Sequence, residues 1–485
     1  MTEESTKELE EIRKMGFEPY PYKFDRSHYI EEVMKKYSKI KSGEKIEDVK
    51  IAIAGRIRSK RKHGKLSFAH IEDFSGRIQI FISADNLSEK EYKLFSKLNI
   101  GDIIGVEGGI IKTVKGELSV LVKKLTLLSK ALRTLPSQWY GLKDVEIRYR
   151  QRCIDLIMNP EVRKTFIIRA KIIDAIREFL NSKGFLEVET PILQQIYGGA
   201  AARPFKTFLN ELKMDVFLRT ADELYLKRLI VGGFDAVYEI SKDFRNEAID
   251  LKHNPEFTQL ELYKSYIDYN GVMDLFEELI RHIAKKVLGT TKIEYQGHKI
   301  DLVKWERITM VDVIKKYLGV DISKMDLKEL RKTAEKHNIE ISDGMTKGEI
   351  INALFESFDK KIIEPTLVKD YPKETTPLCK LKRGNPEFVE RFEPFVAGLE
   401  LGNAYSELND PILQRKFLEE QVKLRKRIDQ PWTEALDKDF IRALEYGMPP
   451  LGGIGIGIDR LVMLFTNSTS IRDVIFFPFM RPKKK

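Results

Sequence analysis

FRNEAIDLKHNPEFTQLELY, running from Phe244 to Tyr263, is the stretch on which the reading of this 485-residue chain turns. It is preceded by DAVYEISKD, so the residues leading into it alternate as a strand does. If the strand continues, Arg245 and Glu247 share one face while Tyr238, Ile240 and Phe244 take the other. A polar loop, AIDLKHN, follows. The chain resumes as PEFTQLELY, where Phe257, Gln259, Glu261 and Tyr263 share a face and Thr258, Leu260 and Leu262 point into a core. Two such strands side by side present one Arg, three acids or amides and two aromatics on a single surface. Periodicity alone is also satisfied by an exposed sheet face with solvated charges.

A second stretch, GGIGIGIDRLVMLF, obeys a different logic. Ile454, Ile456 and Ile458 alternate with Gly453, Gly455 and Gly457, so one strand face carries no side chains and admits a flat ligand or another backbone. Arg460 stands where an apolar helix begins. The spacing fits neither a dinucleotide-binding fingerprint nor a GK[ST] phosphate loop. By itself a glycine run is a weak signal.

Around these stretches the chain changes period several times. Residues 1–45 are charged and helix-prone, with no dense apolar stripe. From Val49 the period is two: Val49, Ile51 and Ile53, then Ile78, Ile80 and Ile82, then Leu118, Val120 and Val122 alternate with polar or small residues. Turn signals at HGK, SGR, VEGG and VKGE separate them, and several short strands in so little chain suggest a small closed barrel. A basic connector follows Pro136. Ile168, Ile172, Ile176 and Phe179 then have helical spacing with Gly184 as a C-terminal cap, and FLEVETPIL reads as a short strand stopped by Pro191. Charged helical segments fill residues 308–362. The domain boundaries expected are 1–45 for a helical extension, 46–135 for the barrel, 136–160 for a linker and 161–485 for a large domain with the 308–362 insertion.

Composition narrows the class without naming it. Hydrophobic residues at 42% and charged residues at 33% describe a globular chain. The excess of 84 Lys and Arg over 74 Asp and Glu gives +10, which suits a polyanionic partner and equally suits plain solubility. Cys153 and Cys379 stand far apart with no CxxC spacing, which argues against a zinc site or a disulfide framework and for a reducing compartment. The N-terminus has no secretory or transit pattern and no apolar run is long enough to cross a bilayer, so a cytoplasmic protein with no membrane partner is expected.

The motifs taken together carry a resemblance. AGRIRSKRKHGKLSFAHIEDFSGRIQIFI, YGLKDVEIRYRQRCIDLI, FLEVETPIL, RTADELYLKRLIVGGFDAVYEI, the FRNE run, LGNAYSELNDP, ALEYGMPPLGGIGIGIDR and IRDVIFFPFMRP appear in an order that resembles the class II lysyl-tRNA synthetases, of the archaeal or eukaryotic cytosolic style, from about Gly16 to Pro482. The resemblance implies an α+β fold: a five-stranded OB-fold barrel that reads the anticodon, and a catalytic domain with an antiparallel sheet flanked by helices. It implies a homodimer through Ile168–Pro191.

The resemblance also implies roles. Arg245 bridges the amino acid carboxylate and the α-phosphate of ATP; Glu247 contacts adenine, His253 and Asn254 belong to the ATP site, and Phe257 stacks under the ring. Arg460 covers the other adenine face near the γ-phosphate, where aromatic and cation–π terms both favour a purine. Glu393 and Glu400 match acids that hold Mg2+. Ala397-Gly398 would turn a hairpin between them. Glu400 has the opposite parity to Asn403 and Glu407, so a bulge or twist is required if all line one pocket. Glu261 and Glu407 match positions that bind the ε-ammonium of L-lysine, and Tyr263 adds a hydroxyl. Gly199, Glu223 and Asn403 match those holding its α-amino and carboxylate ends, and Tyr405 the aromatic beside its side chain. In the barrel Phe68, Gln79 and Glu117 match residues that read anticodon bases of tRNA(Lys); Phe68 alone reads equally as core.

A buried ammonium requires carboxylates, whereas aspartyl or asparaginyl synthetases need donors at those positions. Those enzymes are the runner-up reading, followed by a non-catalytic RNA-binding scaffold. Ala248, Phe208, Leu209 and Asp222 depart from the family pattern without removing a ligand of lysine or ATP.

Overall fold

The computed structural model describes residues 3–63, 66–136, 142–200, 202–427 and 437–482. They fall into two compact units, Met1–Gly141 and Leu142–Lys485.

In the first unit the strands Lys45–His63, Leu66–Glu72, Arg77–Ser83, Ile103–Lys112 and Leu118–Ser129 close a barrel, the fifth lying between the third and the fourth. Closure leaves no free sheet edge. The period-two residues point inward: Ile51, Ile53, Ile78, Ile80, Ile82, Val120 and Val122 are all buried. A slip in pairing between Ile57 and Ser59 lets the long first strand bend to serve two neighbours. Two features differ from the sequence expectation. Ile12, Ile30, Val33 and Tyr37 bury in the barrel's own core cluster, so the helices of residues 1–45 are part of this unit rather than an extension. A helix, Glu89–Lys97, starts from a capping box at Ser88 and Glu91 and lies between the third and fourth strands.

The second unit is built on a nine-stranded sheet. Its strands in spatial order are Glu306–Thr309, Thr366–Pro372, Phe388–Val396, Gly402–Ser406, Leu451–Gly457, Glu256–Ser265, Ala236–Phe244 and Leu186–Glu187, with Leu399–Glu400 paired to Phe388–Val396. The outermost pair at each edge is parallel and the remaining pairs are antiparallel, so the expected antiparallel sheet is mixed at its margins. Leu260, Leu262, Phe392, Ala404, Ile454 and Ile456 turn to one face, where the helices Pro160–Ser182, Tyr269–Leu288 and Ile458–Thr466 cover them. The middle helix shows why: Val272, Met273, Phe276, Leu279, Ile280 and Ile283 form one buried stripe at helical spacing, begun by the Asp268 cap and ended by left-handed Gly289.

The segment expected as a linker, 136–160, is structured in its second half. Helices Val145–Arg150 and Arg152–Met158 belong to the large unit. Arg152 is the reason: buried and ion-paired to Asp155, it donates to the carbonyls of Arg472 and Phe476. Helices within 308–362 pack Met310, Val313, Leu330, Ile350, Leu354 and Phe355 against Val368 and Tyr371 of the sheet. No helix among the described residues is long and apolar enough to cross a membrane.

Candidate active site

The uncovered face of the sheet is where the parity argument of Phe244–Tyr263 is realised. The strand Ala236–Phe244 pairs with Glu256–Ser265 so that Ser241 faces Gln259, Glu239 faces Glu261 and Val237 faces Tyr263. On its other side, Gln259, Glu261 and Tyr263 stand opposite Gly457, Gly455 and Gly453, and beyond these come Asn403 and Tyr405. The bare glycine face is therefore not empty floor for a ligand. A Cβ on Gly453 would meet Glu407 Oε1 at 2.5 Å, and one on Gly455 would meet Gln259 Nε2 at 2.6 Å. Neighbouring side chains lie across the strand, and the glycines make room for them.

Arg245 and Glu247 are not on the strand, which ends at Phe244. They belong to the loop, where the Arg245 amide donates to Pro255 O at 2.9 Å and the Glu247 amide to Arg245 O at 2.9 Å. The loop is folded around Asp250, which accepts from the amides of Lys252 at 2.7 Å and His253 at 2.8 Å and from His253 Nδ1 at 2.9 Å. Leaving the strand frees the Arg245 guanidinium to sit over the Phe257 ring, 5.0 Å from its centre.

The conflict of parity at Glu400 resolves through the expected bulge. Ala397 and Gly398 take φ of 50° and 68°, the tight turn that joins Phe388–Val396 to Leu399–Glu400. Pairing is Phe395 to Glu400 on one side of Leu401 and Arg391 to Tyr405 on the other, a slip of one residue. That slip returns Glu400 to the face of Arg391, Glu393, Asn403 and Tyr405. Arg460 closes the ring: its Nη1 donates to Glu400 O at 2.9 Å and lies 3.2 Å from Glu400 Oε2, and its Nη2 lies 3.3 Å from His253 Nε2.

A cavity of about 460 Å³ lies on this face, lined among others by Gly199, Glu223, Arg245, Glu247, His253, Asn254, Phe257, Glu261, Glu400, Asn403, Tyr405 and Arg460. Glu393 lines an adjoining cavity of about 360 Å³ that shares Arg391 and Glu400. Tyr263 and Glu407 line neither; they are buried beneath the first.

Charge is unevenly distributed along the cavity. One end gathers Arg245, Lys252, His253 and Arg460. At the other, Glu261 accepts from Gln259 Nε2 and from the Tyr263 hydroxyl at 2.9 Å, and burial, reinforced by Asp222 and Glu223, holds its carboxyl well above the usual carboxylate range. Burial likewise pushes Glu407 up to about 8, although Lys227 opposes the shift. Near Glu400, burial and the charge of Glu400 lift Glu393 to about 7 against the pull of Arg391, while the Tyr371 hydroxyl donates to it at 2.8 Å.

Sequence reasoning missed three residues here. Arg391 donates to Asn403 Oδ1 at 2.8 Å, Thr375 Oγ1 at 3.0 Å and Glu393 Oε1 at 2.5 Å, tying both cavities together. Asp459 accepts from the Thr258 amide at 2.7 Å and from Arg169 at 2.5 Å, which fixes the turn that aims Arg460. Lys227 is buried among the acids. None carries a decisive local signal, since each takes at least one partner from a strand or helix distant in sequence; the i, i+4 spacing of Glu223 and Lys227 is visible but reads as a surface pair.

The barrel brings together a separate group. Gln79 Nε2 donates to Glu117 Oε2 at 2.6 Å, His70 Nε2 lies 2.7 Å from Glu117 Oε1, and Ser119 Oγ donates to Gln79 Oε1 at 2.8 Å. Phe68 is half-buried, on the opposite face from buried Ser67 and Ala69, with its ring 5.1 Å from that of Phe81. It is not a core phenylalanine.

A bulged sheet, antiparallel except at its two edges and with this cavity on one face, plus a five-stranded closed barrel, is the architecture of a class II tRNA synthetase. The family model of class II tRNA synthetases (D, K and N) matches residues 144–481, and that of the OB-fold nucleic acid binding domain matches residues 51–128. The chain is 54% identical to the lysine–tRNA ligase of Carboxydothermus hydrogenoformans over 98% of this chain and 96% of the relative. It is 52% identical to that of Moorella thermoacetica, over 98% and 97%, and 48% identical to that of Thermosipho melanesiensis, over 99% and 96%. These relatives are bacterial, so the likeness extends beyond the archaeal and eukaryotic cytosolic style. The chain belongs to the lysine–tRNA ligase family of class II synthetases.

Proposed function

We propose that the chain activates L-lysine with ATP, forming lysyl-adenylate and pyrophosphate, and then transfers lysine to the 3′ end of tRNA(Lys). The observation that carries this reading is the split in charge along one cavity. An anionic triphosphate fits the end holding Arg245, Lys252, His253 and Arg460, and a substrate ammonium fits the end lined by Glu223 and Glu261, with Glu407 buried beneath.

In this reading a carboxylate oxygen of lysine attacks the α-phosphorus and the bond to pyrophosphate breaks. No side chain acts as nucleophile or general base. Arg245 holds the carboxylate and the α-phosphate together, and Arg460 faces the distal phosphates beside His253, so the rate derives from in-line positioning and offset charge. Phe257 is the platform for adenine, with Glu247 and Asn254 at its edge. Glu223, Gly199 and Asn403 position the α-amino and carboxylate ends, Tyr405 flanks the side chain, and Tyr263 orients Glu261 toward the ε-ammonium.

Glu393 and Glu400 fit Mg2+ by their chemistry. They are hard oxygen donors on one face, and the charge of Glu400 already raises Glu393, an excess that a divalent cation relieves. Among the described residues no three His, Cys, Asp or Glu side chains converge as a ready-made metal site, so these two would hold the ion jointly with the nucleotide. When bound, the metal offsets phosphate charge.

Phe68, Gln79 and Glu117 read anticodon bases by stacking and edge hydrogen bonds. The enzyme works in the cytoplasm as a homodimer through Ile168–Pro191, where Leu186 is 48% exposed on an edge strand.

ATP–pyrophosphate exchange with each amino acid in turn, without tRNA, is the test. Exchange driven by lysine is expected. Exchange driven by aspartate or asparagine instead would overturn the substrate, and none at all would favour an RNA-binding scaffold.

A further inference from the structure

The helix Glu223–Val231 carries a lysine that the proposed reaction leaves unused. Lys227 follows Glu223 by one helical turn, and its side chain is 1% exposed. Its ammonium is ion-paired to both Glu223 and Glu407. It also lies 5.7 Å from the ring centre of Tyr263 and 5.8 Å from that of Tyr405. All four neighbours belong to the proposed lysine pocket. Burial pulls the pKa of Lys227 down, but the two carboxylates outweigh burial and hold the ammonium above its ordinary range.

The two ion pairs give the arrangement a purpose: Lys227 ties Glu407 to Glu223, so two acids proposed to meet the substrate's ammonium groups are held in place by a cation of the chain itself. We propose that Lys227 is a positioning residue for substrate selection: a fixed internal cation that holds Glu407 and Glu223 aimed at the ammonium groups of lysine. The inference rests on the lysine-ligase reading.

The groups acting on Glu407 come from every element around it. Glu223 and Lys227 are on the helix, Glu261 and Tyr263 on the strand Glu256–Ser265, Tyr405 on its own strand, and Cys379 bridges to it through the backbone. Lys227 is the cation ion-paired to it, and Arg391 acts on the neighbouring Tyr405 and Cys379. Removing Lys227 takes away the ion pair that opposes burial, so the pH at which Glu407 ionises moves up from about 8.

The experiment measures lysine-dependent exchange against pH for the wild-type chain, Lys227→Met, Glu407→Gln and the double variant. Lys227→Met is expected to raise the lysine KM about tenfold or more at pH 7 with the ATP KM unchanged, and to move the pH dependence of the lysine KM to higher pH than in the wild type. The double variant is expected to be no worse than Glu407→Gln, because the lysine acts through that glutamate. A loss equal at every pH, an equal rise in the ATP KM, or additive losses in the double variant would overturn the proposal. If Lys227→Met does not fold, the double variant decides alone: a lysine KM equal to that of Glu407→Gln supports the proposal, and a larger one or renewed failure to fold overturns it. Absence of lysine-driven exchange in the wild-type chain is a separate failure, that of the ligase reading itself.

Discussion

The two ends of the cavity solve opposite electrostatic problems in opposite ways. Where the proposed triphosphate lies, the cations come from a loop or a helix start and the charged groups remain wet: the Arg460 side chain is 21% exposed and that of its partner Glu400 42%. Where the proposed ammonium lies, the groups are dry, with Glu261 on a strand at 6% exposure and Glu407 just past the end of one at 0%. ATP brings several charges and many contacts, so each protein group contributes part of the total and solvent remains as a partner. A single ammonium on a flexible stem has only the acids it meets, and these discriminate only if water is absent. In the proposed reaction one end serves charge offset and the other selection.

If that division holds, variants at the two ends fail differently. Arg460→Ala, at the wet end, is expected to lower the rate of lysine-dependent exchange by about 10³-fold, about 4 kcal/mol of transition-state stabilisation, while lysine affinity by calorimetry changes little. An equal loss of lysine affinity would mean that the ends are not separable. Glu261→Gln, at the dry end, is expected to reduce kcat/KM for lysine about 10²-fold and to leave the ATP KM within about threefold of wild type.

The smallest effect concerns the cost of keeping one end dry. Asp222 is buried next to Asp243 and Glu239, neither of its carboxyl oxygens has a hydrogen-bond partner, and burial first and those acids second hold it well above 3.8. An acid whose pKa is raised by folding destabilises the native state as pH rises above the unfolded value, and it imposes no such cost below that value. Asp222→Asn is therefore expected to raise the melting temperature by a few degrees at pH 8, about 1–2 kcal/mol, with the gain fading as pH approaches 4. A gain independent of pH would locate the effect elsewhere.

Much of this geometry was legible because it is local. Parity along PEFTQLELY placed Phe257, Gln259, Glu261 and Tyr263 on one face, and the parity conflict at Glu400 demanded the bulge that is found at Leu401. Arg245 was legible as a site candidate but not as a loop residue, since alternation continues past the point where pairing stops at Phe244. Lys227 and Arg391 were hidden for a different reason. Their meaning lies in partners such as Glu407 and Asn403, contributed by other strands, and no pattern in their own surroundings reports it. The anchoring of residues 1–45 on the barrel was obscured likewise, because four apolar residues spread over two short helices make no stripe.

The glycine strand Leu451–Gly457 has a consequence for anyone wishing to alter the enzyme. Because the side chains of Tyr263, Glu261 and Glu407 lie over Gly453 and Gly455, the depth of the proposed lysine pocket is set by backbone, and any larger residue there collides with the groups proposed to select the substrate. Redesign toward a shorter or longer diamine has to proceed through the flanking strands, leaving their common floor untouched.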